Sequence, residues 1–201
     1  VRSAPQEALD VLLVDRAGVE PHVFLVDLPV LADDERGRDA GDPAEVVHDL
    51  LGSHEHRIVH LELGHERLHH PRTLLILERA ENYLYEIELD LKRRFPDIDL
   101  QALIASVNDG SGLRELMRRH RPDIIFHAAA YKHVPLMERC PIEAAYNNIL
   151  GTRNLVAAAL AAETSRFVMI STDKAVNPTS VMGARKKIAE KFVHASRGAC
   201  Q

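Results

Sequence analysis

From residue 71 onward, apolar positions follow two alternating rhythms. Short, nearly unbroken apolar runs predict buried strands at Thr73 to Glu78, Leu100 to Ala105, Asp123 to His127 and Arg166 to Ile170. Between them, apolar residues three and four apart predict helices. Tyr83 to Phe95 sets Leu84, Ile87 and Leu91 on one face and is stopped by Pro96. Ser111 to His120 carries Leu113, Leu116 and Met117, and Met182 to Ser196 closes the series. Pro141 to Ala162 reads as one long helix with proline in its first turn, where a missing N–H costs nothing. Strands and helices alternating at this length predict an α/β fold, a Rossmann-like doubly wound parallel sheet with right-handed crossovers and helices on both faces.

The first 70 residues keep neither rhythm. Two short apolar runs, Val11 to Val14 and Val23 to Leu28, predict a small appended β element, and the acidic, glycine-containing stretch Ala32 to Pro43 reads as a linker or loop. Arg57 to Leu63 has strand character. Fewer than about ten residues then remain before Thr73, too few for a crossover helix. The chain therefore divides into an appended or irregular segment, 1–70, and an incomplete α/β domain, 71–201, whose first βα unit is atypical or missing.

Composition narrows the functional classes. The 201 residues are 46% apolar, enough for a sizeable core, and the net charge of -5 with interspersed signs leaves no basic stripe for nucleic acid. Two cysteines, Cys140 and Cys200, make no disulfide framework and fit a reducing cytoplasm. No apolar run reaches the ~20 residues that span a bilayer. Seven histidines fall between His48 and His70, with His56 and His60, and His65 and His69, four apart. Arg57 and Glu66 interleave without an orienting shell and no cysteine lies nearby, so no metal site is expected.

The chemistry concentrates at 166–191. The apolar strand gives way abruptly to Ser171, Thr172, Asp173 and Lys174, at the edge where an open α/β sheet presents groups to ligands. After the Asn177-Pro178 turn, Met182 and Lys186 stand four apart and share one helical face. A hydroxyl, a carboxylate and two amines then meet in one crevice. The same spacing also fits a solvated strand end beside a charged helix face, and spacing alone leaves both open.

Longer motifs add a resemblance. Arg-Pro-Asp-Ile-Ile-Phe-His-Ala-Ala-Ala-Tyr-Lys-His-Val-Pro-Leu-Met-Glu at 121–138, then Asn148, Gly151, Thr152 and Asn154, then Ser-Thr-Asp-Lys-Ala-Val-Asn-Pro-Thr at 171–179, closely resemble the CapD-like polysaccharide-biosynthesis branch of the extended short-chain dehydrogenases/reductases. The match spans roughly residues 72–197. That branch contains inverting nucleotide-sugar 4,6-dehydratases acting on UDP-N-acetylglucosamine. The resemblance implies bound NADP (or NAD), a UDP-sugar substrate, and a second copy of the chain as a candidate partner. It implies that hydride leaves C4 of the sugar, a proton leaves C5, water leaves C6, and the hydride returns to C6. Lys174 would be the base at C5 and Asp173 the acid at C6, with Thr172 orienting the sugar and Lys186 holding the nicotinamide ribose. Met182 stands where most short-chain dehydrogenases have tyrosine, as in the larger members of this branch. Tyr131, Lys132 and His133 would contact substrate, and Asn148 would tie its helix to the active-site strand. At the cofactor, Glu78 would accept from the adenosine ribose, Arg79 would pair with a 2′-phosphate, and Ala128, Ala129 and Ala130 would let the cofactor backbone approach.

Three departures accompany the match. Relatives carry a Gly-x-Gly-Gly-x-x-Gly turn after the first strand, and in 53–71 only Gly64 is present. Losing two or three charge-assisted hydrogen bonds, about 1.5–3 kcal/mol each, would weaken cofactor binding by roughly two to six powers of ten. Relatives have Gly-Asp after the third strand, where this chain has Ala105-Ser106. The sequence given also stops at Gln201, before the C-terminal region from which extended members build most of their sugar pocket. Three readings follow: a dehydratase (lyase) fragment, a nucleotide-sugar epimerase of the same superfamily, and a non-catalytic Rossmann-like remnant. Ser-Thr-Asp-Lys favours the first over the second, whose proton exchange usually uses tyrosine.

Overall fold

A computed structural model describes residues 12–13, 22–26, 72–131 and 133–196, with side chains from residue 72 onward except that of Asp173. The strands are β1 (Leu12–Leu13), β2 (His22–Val26), β3 (Thr73–Glu78), β4 (Asp99–Ile104), β5 (Ile124–His127) and β6 (Arg166–Met169). The helices are α1 (Glu81–Arg94), α2 (Gly110–His120), α3 (Val134–Arg139), α4 (Pro141–Ala145), α5 (Gly151–Ala161) and α6 (Val181–Ala195). A π-helical segment, Tyr146–Leu150, joins α4 to α5, and a 3-10 turn, Asp173–Ala175, precedes α6.

The sheet runs β1-β6-β5-β2-β3-β4. Strands β2 through β6 are parallel, and only β1 is antiparallel, pairing Leu12 with Phe167 at the edge. The doubly wound parallel sheet is therefore present. Its first strand, however, comes from an unexpected place. The run from Val23, read from sequence as part of an appended element, supplies the central strand, pairing Val26 with Leu77 of β3 on one side and with His127 of β5 on the other. The reason is local. His-Val-Phe-Leu-Val is a β-branched and aromatic run suited to burial on both faces, as a central parallel strand requires. Residues 53–71 and the histidine pairs lie outside the described residues, as do residues 197–201.

Side-chain alternation along each strand sorts the core into two layers. Leu74 and Ile76 of β3, Ile124 and Phe126 of β5 and Val168 of β6 meet Leu84, Ile87 and Leu91 of α1 on one face. Leu75 and Leu77 of β3 and Ile125 of β5 meet Leu113 and Met117 of α2 and Leu155, Ala158 and Ala159 of α5 on the other. The long helix forecast from Pro141 is continuous but not uniform, since its middle widens into the π-helical segment. Helix α3 was not anticipated. Six residues with proline near the start are too few to show a helical period.

Candidate active site at the strand tips

The loop after β5 is held by a buried amide. Asn148 Oδ1 accepts the Tyr131 backbone N–H at 2.8 Å, and Asn148 Nδ2 donates to the Tyr131 carbonyl at 3.0 Å. The tie expected of Asn148 to the active-site strand is made instead to the loop after β5. Its position comes from the π-helical widening, a feature that recurs at functional sites. Asn147, on the same segment, donates to Asn148 Oδ1. The loop therefore carries Ala128, Ala129, Ala130 and Tyr131 across the tip of β5 in one fixed path.

Beneath the loop, His127 is fully buried and its Nε2 lies 2.8 Å from Thr152 Oγ1. Thr152 spends its one hydroxyl proton on the Asn148 carbonyl, 2.8 Å away, so His127 Nε2 must carry the proton between them. His127 Nδ1 is then a lone pair, and it has no partner among the described residues. Burial, with a smaller push from the Lys186 charge, lowers the His127 pKa to about 3, so the ring stays neutral. Sequence reading had not singled out His127 for chemistry; a histidine ending an apolar strand is the signal that was there to use.

On the opposite wall, α6 carries Met182 and Lys186, both buried. Met182 packs with Met137 and Ala144, and Tyr131 and Val134 close over the cluster. Lys186 makes no hydrogen bond or ion pair among the described residues. Burial lowers its pKa to about 8, and the Glu190 carboxylate one turn on pulls in the opposite direction. The start of α6 is fixed from three sides: Ser180 accepts the Gly183 N–H, Glu138 of α3 accepts the Val181 N–H at 2.7 Å, and Lys187 Nζ donates to the Val176 carbonyl at 2.7 Å.

The 3-10 turn presses against this helix. A Cβ on residue 183 would stand 2.2 Å from the Lys174 carbonyl oxygen, so the close approach exists only because Gly183 has no side chain. Ser171, at the exit of β6, donates its hydroxyl to Glu190 and locks the strand to the same helix. Backbone packing thus sets the Asp173–Ala175 turn against α6 at Gly183, next to Met182. The Lys174 side chain itself is exposed, and the Asp173 side chain lies outside the described residues, as does Lys132. His133 is exposed at the start of α3.

At the tip of β3, Glu78 is buried and its Oε1 accepts the Ala80 N–H at 2.8 Å. The Arg79 guanidinium lies 4.9 Å above the Tyr131 ring. That contact joins the loops after β3 and β5 across the end of the central strand, the crevice where an open sheet with this strand order binds ligands.

The residues 60–200 match the family described as polysaccharide biosynthesis protein. The chain belongs to that family. Within it the likeness is to the CapD-like branch: the chain is 47% identical over 124 residues to the capsular polysaccharide biosynthesis protein CapD of Staphylococcus aureus, covering 61% of this chain and 21% of CapD. A UDP-glucose 4-epimerase of Rickettsia massiliae is 38% identical over 103 residues, covering 51% of this chain and 30% of the relative. Among solved structures, Pen from Bacillus thuringiensis superposes with a TM-score of 0.64 at 21% identity, covering 90% of this chain and 46% of Pen. The dTDP-glucose 4,6-dehydratase DesIV from Streptomyces venezuelae, solved with NAD, gives 0.56 at 19% identity over 63% of this chain and 42% of DesIV. These likenesses show a shared fold. The family member described here thus spans about a fifth of the length of CapD.

The described tips fit a dinucleotide unevenly. The resemblance assigns Glu78 and the buried amine of Lys186 to the two riboses and the three alanines to the cofactor backbone, and Glu78 already accepts the Ala80 N–H. After the central strand, however, the sequence runs Asp27-Leu28-Pro29-Val30-Leu31-Ala32-Asp33-Asp34-Glu35, with no glycine before Gly37. A glycine-rich phosphate turn is therefore absent from the sequence at this strand as well as from 53–71. Among the described residues, no cluster of histidine, cysteine or carboxylate side chains could hold a metal ion, and no helix is long and apolar enough to cross a membrane.

Proposed function

We propose that this chain carries the reaction-centre part of a nucleotide-sugar-modifying enzyme of polysaccharide biosynthesis, of the 4,6-dehydratase type. The observation that carries this reading is the surroundings of Met182. It is 4% exposed and lies in an apolar cluster with Met137 and Ala144, so the helix position that offers a tyrosine proton in most short-chain dehydrogenases offers none here. In this reading proton transfer comes from Asp173 and Lys174 on the 3-10 turn that Gly183 admits against the same helix. Acid and base side by side at a strand tip suit elimination, in which one proton leaves carbon while another reaches the departing oxygen.

In this mechanism the C4 hydroxyl gives its proton to a water, and Lys174 takes the proton from C5 of the sugar. Asp173 delivers one to the C6 oxygen, which departs as water, and protonated Lys174 finally returns a proton to C5. Thr172 orients the sugar, with Tyr131, Lys132 and His133 as further contacts. Lys186 and Glu78 hold the two ribose ends of a nicotinamide dinucleotide, NADP or NAD, which when bound supplies reversible two-electron oxidation at C4. Arg79 stands by for a 2′-phosphate. The UDP-sugar substrate, the lyase assignment and a cytoplasmic setting belong to the same reading. Incubation with UDP-N-acetylglucosamine and NADP, followed by mass detection of a product lighter by one water and carrying a 4-keto group, is the expected result. Return of a C4 epimer with unchanged mass would instead favour a 4-epimerase, the reading that the Rickettsia relative supports. No product together with no dinucleotide binding would favour a non-catalytic remnant.

A further inference from the structure

Ser171 and Glu190 form a pair that the proposed chemistry does not use. Ser171 stands first among the polar residues at the tip of β6 and donates its hydroxyl to Glu190 of α6. Glu190 follows Lys186 by four residues, so both occupy one face of the helix. Yet no ion pair forms between them among the described residues, because the carboxylate is turned to the serine. The negative charge is thereby fixed by Ser171 one helical turn from a buried amine.

We propose that Glu190 is a positioning residue: anchored by Ser171, it places a fixed negative charge one helical turn from Lys186 and so governs the cation presented to the bound nucleotide. The proposal rests on the reading of Lys186 as the group that holds the ribose. The other charged groups around α6 do not compete for this role. His127 faces it from β5 as a neutral ring, Glu138 of α3 is bonded to the Val181 N–H, Lys187 reaches the Val176 carbonyl, and Lys174 is exposed. Among the described residues, which exclude the Asp173 side chain, Glu190 is thus the anionic influence on Lys186, opposing the burial that favours the neutral amine. A direct Lys–Glu contact would neutralise the cation and occupy its hydrogen bonds. The serine prevents that contact while leaving the field in place.

Two substitutions separate the field from the fastening. Glu190→Gln keeps an acceptor for Ser171 and removes the charge; Ser171→Ala keeps the charge and removes the anchor. The readout is the titration of Lys186 in the full chain after reductive 13C-methylation, followed by NMR and assigned through the signal lost in Lys186→Met. Glu190→Gln should move the midpoint from about 8 to lower pH by about half a unit or more. Ser171→Ala should move it upward, because the freed carboxylate can close on the ammonium. An unchanged midpoint in Glu190→Gln, or a shift in the same direction in both variants, would overturn the proposal, since a merely structural clamp predicts one of these. Added NADH tests the underlying reading separately. A Lys186 signal that responds to Glu190→Gln but not to NADH would retain Glu190's role and remove the ribose-holding role.

Discussion

The Lys174 carbonyl oxygen fills the space in which a side chain at Gly183 would stand, an ideal Cβ there lying 2.2 Å away. A turn bearing the proposed acid and base is therefore seated directly on the helix that bears Lys186. Gly183→Ala must push the two apart, at a cost of about 1–3 kcal/mol for overpacking against backbone. We expect a lower Tm and at least a tenfold fall in 4-keto product, read by calorimetry and by mass spectrometry of the sugar nucleotide. An alanine variant with wild-type Tm and turnover would contradict the packing.

Lys174 is exposed, so replacing it should separate chemistry from folding. Lys174→Gln is expected to leave Tm within experimental scatter while lowering turnover by about 100- to 10,000-fold, the usual contribution of a general base. Turnover within threefold of wild type would remove Lys174 from the reaction.

His127 predicts a particular acid sensitivity. Its folded pKa of about 3 lies below the unfolded value near 6.5, so the unfolded chain binds a proton that the folded chain refuses. Stability attributable to this ring is full above pH 6.5 and is lost as pH falls toward 3. At pH 5 the loss amounts to about 2 kcal/mol. His127→Phe keeps the ring volume and leaves Thr152 bonded to the Asn148 carbonyl. Its stability should therefore fall less than the wild type's between pH 7 and pH 5 in urea titrations, and parallel curves would refute the buried neutral ring.

Lys186 behaves in the same sense in a higher pH window. Its folded pKa of about 8 is depressed below the ordinary 10.5, so at pH 7 the fold carries a buried cation that the unfolded chain hydrates freely. Lys186→Met should stabilise the chain by about 2–3 kcal/mol at pH 7, and the gain should shrink as pH rises from 8 to 10.5. Dinucleotide binding should weaken in the same variant. A variant that is less stable at pH 7 would indicate that the amine is better solvated than its 6% exposure implies.

Asn148→Leu removes both bonds to the Tyr131 backbone and leaves an N–H and a carbonyl unpaired. The expected cost is about 2–4 kcal/mol. Hydrogen exchange should show the Tyr131 amide losing protection before the rest of the sheet, whereas uniform loss would mean that the amide supports the whole fold and not the loop.

Much of the sheet was legible from the pattern of residues. Thr73–Glu78 matched its apolar run, and the α1, α2 and α6 boundaries fell within one or two residues, because each element buries one face and advertises it. The residue types at 171–174 and the pair Met182 and Lys186 pointed to the tip of β6 and to α6, and the structure packs the turn after that strand against that helix. What stayed hidden depends on contacts distant in sequence. A five-residue apolar run at 22–26 says nothing about whether it will sit at an edge or at the centre, since that is decided by the exposed flanks of β3 and β5. Nor does a glutamate on a charged helix announce that a serine nineteen residues earlier holds it. The π-helical widening leaves no periodic trace either, because one extra residue per turn over a single turn is below what spacing can resolve.

Strand β2 separates β3 from β5, and nothing else in the described sheet bridges them. A shortened chain starting at residue 71 would keep every signature residue quoted for the family and yet lose its middle plank. Two raw flanks, each lined with unpaired amides and carbonyls, would face one another across a gap one strand wide. Such a product would recruit foreign strands or stick to itself, so five residues lying outside the family match decide whether the rest of the sheet stays closed.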